Sequence, residues 1–261
     1  MTRLLTRTGT DLLNWLSSWR AVFHFAGVAI VEALTPATYN SATRSVVFKQ
    51  IYFTAWQILP RFTLFSALFS YVLIRIVVET AGQFGLANYA LEAVIRLLVL
   101  EVLPLMTALF VALRSGAATG TEVVLMNIHN EIRAMEEAGV DPLRFELIPR
   151  VIGGSISVLA LTAVTSFLAL LFAYFEVYGL QYWNLPDFAR VMARIFDPAT
   201  IAILWGKVLA FGLAVTVIPI TEAQAAPQKL FFAPIAVLRG MVRLFFVLML
   251  IEVLSLALKY I

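Results

Sequence analysis

The chain has 261 residues, of which 61% are hydrophobic and 13% charged, with a formal net charge of +3. An average soluble domain carries about 25% charged residues, so there is too little polar material here to clothe a globule in water, and an ordinary soluble enzyme is excluded. Disorder is excluded as well, because disordered chains are poor in apolar residues; what remains is an all-α polytopic membrane protein whose unit is the spanning helix of about 20 residues.

Residues 1–49 read as an N-terminal interfacial or elbow segment. Leu4, Leu5, Leu12, Leu13, Trp15, Leu16 and Trp19 alternate with Arg3, Arg7 and Arg20, the pattern of an amphipathic helix lying in the membrane interface. No uninterrupted apolar core follows Met1, so no cleaved signal peptide is expected. Residues 21–34 are apolar but short for a crossing, and read as a continued interfacial or re-entrant element that ends at Pro36.

Residues 50–261 hold five longer apolar segments, about 50–78, 89–113, 151–175, 199–221 and 235–258, each long enough for a hydrocarbon layer of ~30 Å. The second contains Glu101, the fourth Lys207, and the fifth begins around Arg239 and Arg243, which read as positive-inside anchors. Arginines and lysines collect before the first span, after the second (Arg133, Arg144, Arg150) and after the fourth (Lys229). That places the N-terminus in the cytosol and the C-terminus outside.

Residues 126–150, MNIHNEIRAMEEAGVDPLRFELIPR, are the longest polar insertion. Ile128, Ile132 and Met135 recur at helical spacing, Asn127 can cap the start, and Gly139 suits a left-handed turn at the end. A helix over 127–138 follows, acidic at Glu131, Glu136 and Glu137, before Asp141-Pro142 opens the next helix as cap and first-turn proline. Such an element is either a rigid cytosolic knob through which a soluble motor pushes a permease, or a plain surface helix joining two spans. Just before it, Gly116-Ala117-Ala118-Thr119-Gly120 is a GxxxG run that permits close helix approach, with Arg114 and Glu122 on roughly one face beside it.

At this point the residues resemble a known family. Residues 101–150 read LEVLPLMTALFVALRSGAATGTEVVLM (from Leu100) and then NIHNEIRAMEEAGVDPLRFELIPR. They are similar, without a gap, to the MlaE family of ABC-transporter permeases, whose signature has the form RELGPxxTALLVAGRxGSAxxAELGxM followed by a TEQIDAL-like helix and GVDPxRYLVxPR. Glu101, Pro104, Thr107, Arg114, Gly116, Glu122, Met126, Ile132, Ala134, Gly139, Asp141, Pro142, Arg144, Pro149 and Arg150 fall on matching positions. The family's arginine before the glutamate is Leu100 here, its glycine before the proline is Leu103, and its glycine-rich stretch before the last span is replaced by TEAQAAPQKLFFAPIAVLRG.

The resemblance implies a homodimeric permease of a bacterial inner membrane that moves phospholipid or a related lipid between that membrane and an MCE-domain partner. It implies that cytosolic ABC ATPase subunits bind the ATP and Mg, and this chain indeed has no GxxxxGK[ST] loop of its own. It makes Ile128, Glu131, Ile132, Met135, Glu136 and Asp141 candidates for contact with the ATPase. Pro104, Arg114, Gly116, Gly120, Glu122, Gly139, Pro142 and Arg150 become a structural signature, and Glu101 is placed near the lipid cavity. Ionisable groups at membrane depth cost ~2.5–3.5 kcal/mol each and normally face a partner or a cavity. Lys207, Arg96, Arg75 and Glu79 are therefore further lipid-cavity candidates, with Arg96 or Lys207 supplying the charge absent at Leu100 and Arg75 within reach of Glu79.

No catalytic residue and no metal site is expected. His24 and His129 are isolated, cysteine is absent, no GxSxG elbow exists, and no basic run exceeds one residue, which argues against nucleic acid. A membrane-embedded lipid-modifying enzyme built on Glu101, or a non-transporting membrane anchor of a complex, are the competing functions.

Overall fold

An apolar run in hydrocarbon has no water to satisfy its backbone, so it closes its hydrogen bonds within one segment as a helix. The computed structural model describes residues 2–36 and 39–260, with side chains from residue 18 onward except at 88 and 260. Eight helices are described: α1 (Thr2–Leu34), α2 (Ser41–Gln83), α3 (Tyr89–Ile128), α4 (Glu131–Glu137), α5 (Leu143–Tyr178), α6 (Leu185–Ile195), α7 (Pro198–Gln224) and α8 (Ala233–Tyr260). No strand occurs among the described residues.

Five helices, α2, α3, α5, α7 and α8, are long and apolar enough to cross a membrane, as the hydropathy predicts. Three run well past their expected ends. α2 starts at Ser41 rather than 50, α3 continues beyond residue 113 to Ile128, and α5 starts at Leu143 rather than 151. Polar residues in the α3 and α5 extensions find partners, within the helix where Thr121 donates to the Ala117 carbonyl at 2.9 Å and on other helices where Arg144 bonds Glu32 and Arg150 bonds Glu122, so each helix outlasts its apolar stretch.

α1 runs unbroken through 21–34, so the chain does not turn back there as a re-entrant element would. Val22, Phe25 and Ala29 form a buried stripe, and α1 packs against α5 and α7. Arg144 at the start of α5 grips Glu32 of α1 through two hydrogen bonds of 2.6 and 3.1 Å. The side chains that make residues 3–16 amphipathic lie outside the described residues.

α3 and α7 are the most enclosed spans. Pro219 within α7 has no N–H, which frees the Val215 carbonyl one turn earlier. That carbonyl faces Gly116 of α3, where a Cβ would stand 3.3 Å from it, and a Cβ at Gly120 would stand 3.3 Å from the Pro219 ring. The GxxxG run is thus the floor on which α7 lies. α7 meets α5 as closely, since a Cβ on Gly212 would come within 2.9 Å of the Ser155 Cα.

Large apolar side chains cover the outside, among them Leu68, Val72, Phe167, Phe245, Phe246 and Val253. In water such a surface would aggregate, and it fits hydrocarbon. The protein is a multi-pass membrane protein.

The connection before α7 holds a helix of its own. Residues 185–195 form α6, whose Phe188, Val191, Met192 and Ile195 pack on the apolar cluster around Ile95 and Leu98. Their spacing of three, one and three residues is helical, and could have revealed α6 from sequence.

Candidate functional site

The deepest charged group lies between α3, α7 and α8 in the half of the bundle away from α4. Pro104 disrupts the helix ladder at the Leu100 carbonyl, and residues Ile95–Val102 run as a wide π-helical stretch. The released carbonyl accepts a hydrogen bond of 2.8 Å from Nζ of Lys207. The same ammonium pairs with the Glu101 carboxylate and lies 3.3 Å from Oε2 of Glu252 on α8. Lys259, two turns beyond Glu252, donates to Oε1 of Glu101 at 2.6 Å. Two carboxylates and two ammoniums make a neutral quartet, with the Lys207 side chain only 2% exposed.

The space at this quartet, lined also by Thr200, Leu204 and Ser255, is about 10 Å³. That is at most one water, so the quartet is closed. Arg96 does not join the quartet: it hydrogen-bonds Glu92 at 2.8 Å, and the cations beside Glu101 are Lys207 and Lys259. Arg75 pairs at 2.8 Å with both Glu79 and Glu176, an exposed tie between α2 and α5 that does not join the quartet. Glu252 and Lys259 were missed from sequence. Glu252 interrupts the apolar run FFVLMLIEVLSLAL, a charge at membrane depth in want of a partner, and Lys259 lies seven residues on, along the same face.

The second group is α4 and its fastening. Asn127 does not cap α4. It closes α3 and donates its amide to the carbonyls of Gln224 and Ala226 at 3.4 and 3.3 Å, tying α3 to the end of α7. The chain then turns through Asn130 at φ 57, in the left-handed region where asparagine is among the few tolerated residues. Consequently α4 has seven residues rather than the expected twelve, and Ile128 belongs to α3, packed on the main core and cut off from the Ile132–Met135 stripe.

The far end of α4 is as the residues predict. Gly139 has φ +77, its N–H bonds the Glu136 carbonyl at 3.0 Å, and Val140 N–H bonds the Met135 carbonyl at 2.9 Å, the paired bonds of a Schellman turn. Asp141 then caps the next helix by accepting from Leu143 N–H at 3.0 Å, with Pro142 in the first turn. No α4 residue is buried: Glu131, Glu136 and Glu137 are exposed, while Ile132 and Met135 are half-buried.

Arg150 locks this end of the bundle. It bonds both Glu122 oxygens, at 2.7 and 3.2 Å, and pairs with Glu146, so one buried guanidinium bridges α3 and α5. The three line a polar cavity of about 640 Å³ with Lys49, Gln50 and Arg114, where Arg114 donates to Gln57 at 3.3 Å. Ser115 in its wall shares a hydrogen bond of 2.7 Å with Thr54 behind it.

The third group centres on Arg243, which pairs with Glu222 of α7, donates to Ser18 Oγ at 2.5 Å, and lies 4.0 Å over the Trp19 ring. Arg239, one turn earlier, remains exposed. Among the described residues, no three His, Cys, Asp or Glu side chains are grouped to hold a metal ion.

The sequence profile described as Permease MlaE matches residues 47–258. Similar proteins include a probable ABC transporter permease of Rickettsia prowazekii, 23% identical over 196 residues that cover 74% of this chain and 73% of its own. A counterpart in Rickettsia typhi is 24% identical over 197 residues, 74% of this chain and 73% of its own, and one in Rickettsia felis is 23% identical over 200 residues, 76% and 74%.

Proposed function

The chain belongs to the MlaE permease family, and on that premise we propose that it moves a phospholipid or related lipid between a bacterial inner membrane and an external MCE-domain partner, as half of a homodimer. It is the transmembrane, non-enzymatic subunit of an ABC transporter; ATP and Mg belong to a separate ATPase chain. The N-terminus and α4 face the cytosol and the C-terminus faces the periplasm.

The observation that carries this reading is the exposed acidic α4, held rigidly by Asn127, Asn130, Gly139 and Arg150 rather than hanging on a loop. Its chemistry fits a groove with an apolar pocket for Ile132 and Met135 and basic groups for Glu131 and Glu136. Force applied there enters α3 directly. It reaches α5 through Arg150 and α7 through the Gly116–Gly120 contact with Pro219.

The closed quartet supports a lipid cargo as the second state of the same machine. A headgroup phosphate competes with Glu101 for Lys207 and Lys259, so opening α8 away from α3 exchanges one anion for another at small electrostatic cost. Co-purification tests the assignment. Tagged chain brings down an ABC ATPase and an MCE protein, and a photocrosslinker at position 101 recovers lipid while the complex turns over ATP. Absence of the ATPase contradicts the motor reading, and absence of lipid contradicts the cargo reading.

A further inference from the structure

At the end of the bundle that carries α4, helices α1, α7 and α8 enclose a groove of about 990 Å³. Along α8 its last residue, Phe246, stands six residues, about 9 Å at 1.5 Å per residue, before Glu252 of the quartet, and the groove shares no residue with the quartet. Its apolar wall includes Leu238, Val242 and Phe246, all exposed; its polar rim is Glu222, Arg239 and Arg243.

The rim is unbalanced. Arg239 and Arg243 lie four residues apart on one face of α8, where like charges repel. Glu222 neutralises Arg243, which is also engaged by Ser18 and the Trp19 ring. Arg239 has no acidic partner among the described residues. Gly240 lets α8 sit against α7, where a Cβ would already touch Glu222 at 3.4 Å, so the rim is held at a fixed spacing.

Two guanidiniums share one carboxylate at the mouth of an apolar groove. Inorganic phosphate would satisfy the charge alone; a phospholipid of zero net charge would cover the apolar wall, but its own cation would leave the rim's excess positive charge uncompensated. We propose that this groove binds one anionic phospholipid from the leaflet on the α4 side, its phosphate on Arg239 and its acyl chains over Leu238, Val242 and Phe246.

Native mass spectrometry of the full-length chain, released from nanodiscs of equal phosphatidylglycerol and phosphatidylcholine, reads this out. Wild type retains phosphatidylglycerol preferentially, and Arg239→Gln lowers that preference roughly fivefold, the worth of one arginine at a lipid surface. Val242→Trp fills the groove without changing charge and lowers retention as well. Arg44→Gln, at an exposed arginine on α2, leaves retention unchanged. Equal losses in Arg239→Gln and Arg44→Gln, an unchanged preference in Arg239→Gln, or displacement of the lipid by inorganic phosphate overturn the proposal. A photocrosslinker at position 242 in native membranes gives a lipid adduct; a crosslink to a second copy or to another polypeptide overturns it instead.

Discussion

Pro104 and Lys207 divide one task between them: the proline releases the Leu100 carbonyl and the lysine satisfies it, so the charge is anchored by backbone as well as by carboxylates. Removing one partner of a buried charge group costs about 3–5 kcal/mol, because the remaining charges lose their compensation. Lys207→Met is expected to lose stability in that range by thermal unfolding in detergent. Adding Glu252→Gln to it leaves Glu101 paired with Lys259 and restores part of the loss, a non-additivity that independent sites would not show. Glu101 and Lys207 stood out in sequence because charge inside an apolar run is costly. Their further partners did not, because Glu252 meets Lys207 across 45 residues of chain and Lys259 meets Glu101 across 158. Of the two cations offered for Glu101, Arg96 pairs with Glu92 four residues before it on the same helix, and Lys207 on α7 is the one that reaches Glu101.

Short helices are decided by their ends, and α4 shows which ends can be read. Gly139, Asp141 and Pro142 act within a few residues of themselves, and their roles were legible. Asn127 looked like a cap by the same local rule, yet its amide serves carbonyls 97 and 99 residues away, and no local rule reports that. Gly139→Ala forces a side chain into the left-handed region and costs roughly 1–2 kcal/mol. Because α4 buries nothing, that strain appears as lost coupling: ATP hydrolysis by the assembled transporter falls out of step with transport while the spans stay folded. Gly120→Leu acts between elements. It overpacks the α3–α7 contact against Pro219 by about 1–3 kcal/mol, and reduces both thermal stability and transport. On the other end of α7, hydrogen bonds from Thr200 hold the exposed Asp197 carboxyl below the usual carboxylate range. A lowered folded-state pKa stabilises above the ordinary range and is lost as pH falls through the lowered value. Asp197→Ala therefore narrows the stability difference between neutral and acidic pH in thermal scans.

Over the whole molecule, 13% charge is too little for water but enough to build three ionic assemblies, and the five-span architecture places each where a different task lies. Glu131 to Arg150 gather at the end that presents α4, the quartet closes the far half, and Glu222 with Arg243 joins α1 to α7 and α8. Hydropathy revealed the spans because each is longer than a bilayer needs. It did not reveal that α1 is one helix docked on the bundle, since a buried stripe of Val22, Phe25 and Ala29 looks the same in sequence as an interfacial one. The central claim is that motion enters at α4 and moves lipid. ATP-driven transfer of labelled phospholipid, measured in proteoliposomes holding the assembled transporter, tests it most directly when wild type is compared with Ile132→Asp/Met135→Asp, changes confined to the exposed knob. Transfer is expected to fall to background in the double variant, with spans intact by circular dichroism. Transfer at the wild-type rate would contradict the account.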